Sequence, residues 1–521
     1  MKITISYLRV FLALTVFDVH SGIFVNYLLP FLAKYNISFA ADGVLAVSGF
    51  FIISGYLVHY ILSSKYPTKT LSDFFHFSIS RYLRIWPLFF VILILLTPYT
   101  ISHWHYSISK TIAYSTLIIA GLYFFLGFPL SSSARTIPFS TPHIYATPWT
   151  LCYDAVFYPL GFLFFKSKKF LYFAFFVFLL LFFVWWIYSP PQNGYLPSFW
   201  KLNFYKSPIP NSLAFISGFL AFKINPPSRD FNKYLAIVSF IVILYTMYTP
   251  FFLSVYQQQL ISIICFSILV SELGKNKQSR FEKPLADFTF AFYLIHYELL
   301  FLIKNHFEVF CISFVLALVF GLLIENKIIE KLRYHYIKHI LTPSTNKLSN
   351  TKFPKTIFYI SGFMIIVSAI VNTNRLYKLL FVYPNIKLPY SIYFNHKNSR
   401  MFEKYGFCYM ENWGTWTCYK KAKLCFALKT PPNNLNISIL FNALVSPNHY
   451  QRVFLYFNKK LIYQNTYKSP SNNTINLNLH PSKANCLTFV LPDATSPSSL
   501  GINKDSRMLG IGFIKMDLKA F

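Results

Sequence analysis

Charged residues are scarce in this chain, and acidic residues are the scarcest. Only 12% of the 521 residues are charged and only 17 are Asp or Glu, whereas roughly 25% of residues are charged in soluble domains. Hydrophobic residues make up 55% of the chain and aromatic residues 20%. This balance excludes an ordinary soluble protein and indicates an integral membrane protein.

Several other features are also missing. No internal repeat is visible, and the seven cysteines form no CxxC pair or Cys/His spacing of the kind that binds zinc, so we predict no metal site. The first apolar run is too long for a cleavable signal peptide and has no small-residue cleavage site, so we expect it to serve as an anchor.

The positive charge has a simple interpretation. The net charge is +31 and the pI about 9.7, but Lys and Arg fall mainly in short connections between apolar runs. In such places they set membrane orientation and contact anionic lipid. We therefore expect membrane lipid as a partner and no nucleic acid.

Twelve apolar runs are candidates for membrane spans. They lie near residues 4–30, 43–63, 87–101, 111–128, 149–165, 170–188, 209–222, 234–252, 255–273, 285–304, 309–325 and 356–373. One set of connections (65–84, 166–169, 223–233, 275–283 and 327–355) holds 21 Lys and Arg, and the other set holds 5. The positive-inside rule places the first set in the cytoplasm. That placement requires 87–128 to cross an odd number of times, which gives ten core crossings and an eleventh, linking helix at 356–373.

The amino-acid composition changes beyond about residue 376. Short segments rich in branched and aromatic residues alternate with Pro, Asn and Ser clusters, which is typical of an all-β sandwich. We predict a polytopic α-helical membrane domain at 1–340, a linker with the final transmembrane helix at 341–375, and a periplasmic β-sandwich accessory domain at 376–521. Four cysteines in the last domain are compatible with two disulfides, whose pairing stays open: Cys408, Cys418, Cys425 and Cys486.

Two ionisable residues share one face of the first span. Arg9 and His20 are eleven residues apart, which corresponds to about 1100° of helical rotation, close to three full turns, and about 16 Å of rise. An ionisable group in a span costs about 2.5 to 3.5 kcal/mol even on insertion scales. Arg9 alone is explained as well by snorkelling to the interface, and His20 by core packing; the pair favours a polar interior.

Other polar residues point to the same interior. Arg81 and Arg84 are one helical turn apart in a predicted cytoplasmic loop, where they either enforce topology or present two guanidinium groups to one anion, such as the phosphates of acyl-CoA. Ser54 and Gly55 leave a helix face with little bulk, for helix packing or for a ligand. Asp154 lies in a span without a cation of its own, so it must be neutral or find a partner on another helix.

These residues resemble the motifs of the acyltransferase-3 family of bacterial membrane O-acyltransferases. The segments that carry the resemblance are Arg9 with His20, F50-FIISGY-56, S80-RYLRIWP-87, W149-TLCYDAVFY-158 and F290-AFYLIH-296. They occur in the family's order and span residues 5 to 330. The resemblance implies a membrane enzyme that O-acetylates glycans, with acetyl-CoA or another acyl-CoA as donor substrate and no permanently bound cofactor.

The resemblance also suggests roles for individual residues. We expect Arg9, Arg81, Arg84 and Ser54 on the donor side, and Trp149, Tyr153 and His296 near the acceptor. Because imidazole titrates near neutrality, His20 is the expected general base, although it could instead carry the acyl group. Asp154 is expected to orient His20, although the family usually has Glu at this position.

The expected reaction is acyl transfer across the bacterial inner membrane to a hydroxyl of a lipid-linked or surface glycan, such as O-antigen. A polytopic glycosyltransferase and a lipid-linked glycan transporter are the alternatives. The C-terminal domain shows no Gly-Asp-Ser esterase block. Its residues Trp413, Trp416 and Tyr419 are suited either to stack on sugar rings or to fill the core of the sandwich.

Overall fold

The computed structural model describes two compact units, which divide between Asn372 and Thr373 in the described part of the chain. The described residues are 4–21, 43–104, 149–188, 207–222, 229–248, 255–276, 282–303, 305–346, 348, 351, 353–381, 383–395, 399, 402–470, 472–503, 505 and 507–521. The helices of the first unit are α1 (Ile5–Ser21), α2 (Gly43–Lys65), α3 (Leu71–Trp104), α4 (Trp149–Lys166), α5 (Lys168–Tyr188), α6 (Pro208–Ala221), α7 (Arg229–Tyr248), α8 (Val255–Leu273), α9 (Glu282–Leu302) and α10 (His306–Leu318).

The last helix of this series continues well past its predicted end. After α10 the chain passes through a π-helical segment (Val319–Ile329), α11 (Glu330–Tyr336), a second π-helical segment (Ile337–Leu341) and α12 (Thr342–Asn346). A final helix, α13 (Lys355–Phe381), carries the chain across the division between the two units.

The apolar runs correspond closely to helices, but two predicted connections are wrong. The connection predicted at 327–355 is helical as far as Asn346. The predicted loop at 65–84 is wrong beyond residue 70, because α3 begins at Leu71 and includes both Arg81 and Arg84. Among the described residues, three helices are long and apolar enough to cross a membrane, namely 45–65, 168–187 and 307–345, and three shorter ones are also apolar. The run 111–128 lies outside the described residues, so ten core crossings remain a prediction.

Helix α2 lies at the centre of the first unit, in contact with α1, α4, α6 and α8. Its closest approach is to α6. A Cβ at Gly55 would collide with the carbonyl of Phe215, and a Cβ at Gly218 would collide with that of Ile52. The two glycines therefore let the backbones of α2 and α6 touch, as small residues do between membrane helices.

Helices α1 and α9 pack side by side and run parallel. At their N-terminal ends the hydroxyl of Thr4 hydrogen-bonds to Glu282, and near their C-terminal ends His20 meets His296. Contacts between the two helices therefore occur near both ends of α1, at Thr4 and at His20.

The second unit consists of two six-stranded sheets. The strands are β1 (Asn385–Ile386), β2 (Tyr390–Tyr393), β3 (Glu403–Tyr405), β4 (Phe407–Met410), β5 (Thr415–Thr417), β6 (Lys421–Leu428), β7 (Leu435–Ala443), β8 (Gln451–Phe457), β9 (Lys460–Tyr467), β10 (Asn473–Leu479), β11 (Ala484–Val490) and β12 (Ile511–Ala520). One sheet has the order β1-β6-β11-β8-β9 with β3 beside β6, and the other has the order β10-β7-β12-β5-β4 with β2 beside β12. Only the β1–β6 pairing is parallel among the described strands.

A large apolar cluster lies between the two sheets, and a smaller one contains Cys408, Leu444 and Leu509. Alternate residues of the strands point into the large cluster, as the buried-exposed alternation of β8 and β10 shows. The four cysteines of this unit form two disulfides, Cys408–Cys418 and Cys425–Cys486. The prediction of a C-terminal β domain is therefore confirmed, and the structure supplies the disulfide pairing that the sequence left open.

Candidate active site

A large cavity lies within the helical unit, between α1, α2, α3, α4, α8 and α9. Its volume is about 1110 Å³, slightly above the range of roughly 300 to 1,000 Å³ that is usual for small-molecule sites. The charged and polar side chains that line it are Thr4, Ser6, Arg9, Ser54, Ser64, Lys65, Arg81, Arg84, Thr150, Asp154, Lys275, Asn276, Glu282 and Thr289. Cations outnumber carboxylates in this lining, so the cavity favours an anionic ligand.

Two guanidinium groups in the cavity have no ion pair within the described part of the chain. Arg9 and Arg81 both line the cavity, and neither has a carboxylate within salt-bridge distance there. The Nε–H of Arg81 is buried without a hydrogen-bond partner, and its guanidinium lies 5.9 Å from the ring of Phe77. An orphaned charged donor that borders an open cavity is well placed to bind an anion.

Arg84 is placed differently, although it lies one turn from Arg81 on the same helix. Its guanidinium pairs with Asp287 of α9 and donates to Glu325 Oε1 at 2.9 Å, and Arg333 donates to the same oxygen at 3.0 Å. Asp287 and Glu325 are almost completely buried. Arg84 therefore joins α3 to α9 and to the π-helical segment, and much of its charge is already neutralised.

Asp154 lies in the middle of the cavity lining. Ser54 of α2 donates a hydrogen bond of 3.4 Å to Asp154 Oδ1, and Arg9 is close enough to interact with the carboxylate electrostatically. Helix α4 thus brings its carboxylate near the cation of α1 without a direct ion pair, so the lone acid of this span is partly compensated by a charge on another helix. The partner that orients His20 is an imidazole rather than this carboxylate.

His20 and His296 form a hydrogen-bonded pair near the C-terminal ends of α1 and α9. His20 Nδ1 lies 3.1 Å from His296 Nε2, and the two rings stack at 5.4 Å with an interplanar angle of 15°. His296 Nδ1 lies 3.1 Å from the carbonyl oxygen of Phe292. A carbonyl only accepts, so Nδ1 of His296 carries a proton and its Nε2 has the lone pair.

The protonation of His20 follows from that of its partner. Because Nε2 of His296 is an acceptor, Nδ1 of His20 must donate to it, which leaves the lone pair of neutral His20 on Nε2. His20 itself is exposed, whereas His296 is completely buried. The hydrogen bond to His296 therefore fixes the tautomer of His20, which is what a general base needs.

Tyr293 lies between the cavity and the histidine pair. It lines the cavity, its hydroxyl is 3.1 Å from Thr150 Oγ1, and its ring centroid is 6.0 Å from that of His296. His20 is not among the described residues that line the cavity. The cavity therefore extends to within one helical turn of His296, the residue that hydrogen-bonds to His20.

The predicted acceptor residues are placed in three different ways. His296 has both ring nitrogens engaged, so it positions His20 and has no nitrogen free for a substrate. Tyr153 is completely buried against Phe51 and Phe157, because it is turned about 100° along α4 from Asp154 and away from the cavity. Trp149 begins α4, and its side chain lies outside the described residues.

Sequence reasoning missed several members of the site. Tyr158, Tyr293 and Glu282 line the cavity without having been predicted to do so. Asp287 and Glu325 were missed as partners of Arg84, although a lone carboxylate in an apolar helix is itself a signal of a buried pair. Within the described residues no group of three or more His, Cys, Asp or Glu is arranged to hold a metal ion.

Comparisons with known proteins bear on this site. A family model described as an acyltransferase domain matches residues 3–325. No curated protein matches the chain. Among solved structures the chain is similar to a family GH115 4-O-methyl-α-glucuronidase with specificity for decorated arabinogalactans, at 11% identity, with 57% of this chain and 34% of that chain covered and a TM-score of 0.19. The chain spans about a third of that structure's length, and a similarity this low carries no argument.

Proposed function

The chain belongs to the acyltransferase domain family, and from that premise we propose that it transfers an acyl group, by preference acetyl, from acyl-CoA to a hydroxyl of an envelope glycan such as O-antigen. Family membership makes the chain a membrane acyltransferase, which sets aside the glycosyltransferase and transporter alternatives. The donor, the acceptor and a location in the inner membrane with the β domain in the periplasm belong to the proposal.

The cavity supports an acyl-CoA donor at one of its ends. Lys65 ends α2, Lys275 follows α8, and Thr4 precedes α1, and all three line the cavity. The positive-inside rule assigns their connections to the cytoplasm, where acyl-CoA is available. Lysine side chains at this entrance suit the phosphates of the nucleotide, and the unpaired guanidinium groups of Arg9 and Arg81 suit an anionic group that enters further.

The middle of the cavity suits the arm that carries the thioester. Ser54 and Asp154 are hydrogen-bonded there, and Arg9 is close enough to interact with Asp154 electrostatically. In this proposal Asp154 serves the donor side, by accepting from amide N–H groups of the arm. This role replaces the expected one of orienting His20.

The histidine pair supports the chemical step. Nε2 of His20 takes the proton of the acceptor hydroxyl while that oxygen attacks the thioester carbonyl. The new C–O bond then forms, the C–S bond breaks, and the proton passes from His20 to the leaving thiolate. His296 positions His20 by accepting its Nδ1–H and stabilises the imidazolium that forms during the step.

The single observation that carries the proposal is the arrangement along α1. One helical stripe carries a cation that lines a basic cavity and, further along, a histidine whose tautomer is fixed by a hydrogen bond to α9. Moving an acyl group from an anionic donor to an alcohol requires these two elements in this order.

The test in cells is the O-acyl content of the envelope glycans, measured by mass spectrometry and proton NMR. Deletion of the gene should remove one O-acyl substituent, the wild-type gene should restore it, and a His20→Ala gene should not. His335→Ala is the matched control, because His335 is an exposed histidine on α11 outside the cavity. An unchanged acyl content of every glycan after deletion would refute the proposal.

A further inference from the structure

The hairpin of β4 and β5 in the second unit ends in a tightly held turn. The backbone N–H of Glu411 donates to the carbonyl of Gly414 at 2.8 Å, which closes the turn. The disulfide Cys408–Cys418 joins β4 to the residue that directly follows β5. The turn residue Trp413 is therefore carried on a rigid support.

The indole of Trp413 is itself fixed. Its Nε1–H donates to Glu411 Oε2 at 2.9 Å, and its ring lies against Gly512 of β12, where any side chain would collide with it. The ring of Trp416 meets it edge to face at 5.3 Å. Trp413 belongs to neither apolar cluster of this unit and keeps part of its surface exposed.

Charged side chains border this ring. Arg507 donates to Glu411 Oε1 at 2.9 Å and to Asp505 Oδ2 at 2.6 Å. The side chains of Arg507, Glu411 and Asp505 are 37%, 32% and 23% exposed. The network thus holds hydrogen-bond donors and acceptors at the solvent boundary next to an aromatic surface.

We propose that Trp413, Glu411, Asp505 and Arg507 form a carbohydrate-binding site. A pyranose ring has an apolar face of C–H groups and a rim of hydroxyls, so a fixed indole surrounded by carboxylates and a guanidinium complements it in both respects. An aromatic ring whose geometry is set before binding loses little conformational entropy when the sugar stacks on it. A ring that served only the core would lie within the apolar cluster between the sheets.

This site goes beyond acyl transfer, because binding requires neither the donor cavity nor the histidine pair. Its function would be to hold a glycan while other parts of the protein act on it. The choice of probe alone rests on the proposed function.

The test is direct binding of the full-length protein in detergent micelles to polysaccharide extracted from the envelope of its own host cells. The polysaccharide is used both as isolated and after mild alkaline removal of its O-acyl groups, and binding is read by biolayer interferometry without any acyl donor. Trp413→Ala should weaken binding about tenfold or more, as expected for loss of a central aromatic contact. Trp413→Phe should fall between Trp413→Ala and the wild type.

Three further variants keep the test decisive. Tyr450→Ala removes an exposed aromatic residue outside the site and should bind like the wild type. Glu411→Gln and Asp505→Asn preserve side-chain size and should also weaken binding. They provide the test if Trp413→Ala fails to fold. His20→Ala should bind normally, which separates this inference from the proposed acyl transfer.

Two results would overturn the inference. The first is that the wild type binds neither form of the polysaccharide. The second is that Trp413→Ala lowers the unfolding temperature without changing glycan affinity, which would assign the network to fold stability alone.

Discussion

At the scale of single residues, the pairing of His20 with His296 determines which nitrogen would act as the base in the proposed reaction. An imidazole has two tautomers, and a base is useful only if its lone pair faces the proton that it removes. The carbonyl of Phe292 fixes His296, and His296 fixes His20. A backbone oxygen on α9 thus controls the reactivity of a side chain on α1.

We predict distinct effects for the two histidines. His20→Ala should lower kcat by about 10²- to 10⁴-fold, the usual contribution of a general base, with the KM for acyl-CoA nearly unchanged. His296→Leu should lower kcat less, and His296→Gln should recover part of the loss because its amide oxygen can accept the Nδ1–H of His20. Steady-state kinetics over a range of pH test this, since loss of the partner should also displace the pH profile. Equal activity of His296→Leu and His296→Gln would assign His296 a packing role only.

The two arginines of α3 provide a matched comparison. Arg84→Ala leaves two buried carboxylates without this partner, and breaking a buried pair costs about 3 to 5 kcal/mol of unfolding free energy. Arg81→Ala removes a guanidinium without an ion pair in the described structure, so it should leave stability nearly unchanged and raise the KM for acyl-CoA. Thermal unfolding and kinetics of the two purified variants measure this. The opposite pattern would mean that the donor contact is made by Arg84.

This difference shows where prediction from sequence ends. The spacing of Arg81 and Arg84 correctly places them one helical turn apart, but spacing within a helix says nothing about which neighbouring helix offers a carboxylate. Glu325 lies 241 residues from Arg84 in the chain. Only the tertiary arrangement shows that one arginine is committed to a buried cluster and the other is not.

At the scale of helices, the contact between α2 and α6 positions the cavity. Ser54 faces Asp154, while the adjacent Gly55 faces the backbone of α6. Ser54 therefore faces the cavity, where a ligand can approach, and Gly55 serves helix packing. This division follows from the turn of about 100° between consecutive helical residues.

A glycine comparison tests this contact. In Gly55→Ala the new methyl group would collide with the carbonyl of Phe215, so the helices must separate, at a cost of about 1 to 3 kcal/mol. Gly362→Ala in α13 is the control, because its Cβ would meet only Phe170 at 3.7 Å. We expect a lower unfolding temperature in detergent and lower activity for the first variant and little change for the second. Equal unfolding temperatures would show that α2 and α6 are not tightly packed.

Helix boundaries were predictable to within a few residues wherever an apolar run was bounded by charge. The main errors lie at 65–84 and 327–346, where helices extend through polar sequence. In both places the extra turns carry or contact members of the Arg84 cluster. Tertiary ion pairs therefore stabilise helix where composition alone predicts a loop.

At the scale of the whole molecule, the stability of the β domain should depend on pH through one buried lysine. In the β domain, burial beside Lys423 lowers the pKa of the Lys404 ammonium to about 8. An unfolded lysine titrates near 10.4, so the unfolded chain holds more protons between these values. The stability of this domain should therefore rise as the pH increases from about 8 to about 10.

Calorimetry of the full-length protein between pH 7 and 10 measures this prediction. The unfolding transition of the β domain should move to higher temperature across this interval, and the movement should shrink in Lys404→Met. Lys460→Met is the control, since Lys460 is an exposed lysine at the start of β9. An identical pH dependence in Lys404→Met and the wild type would contradict the assignment to Lys404.

In the proposed reaction an acyl group passes from acyl-CoA to a glycan hydroxyl with Nε2 of His20 as the base. The most direct test of this reaction uses the purified protein in lipid vesicles with acetyl-CoA labelled in the acetyl group and envelope polysaccharide stripped of its acyl groups. We predict that label appears in ester linkage on the polysaccharide in step with release of free CoA thiol, that His20→Ala abolishes both, and that His335→Ala changes neither. Label transfer at the wild-type rate by well-folded His20→Ala would show that His20 is not the base.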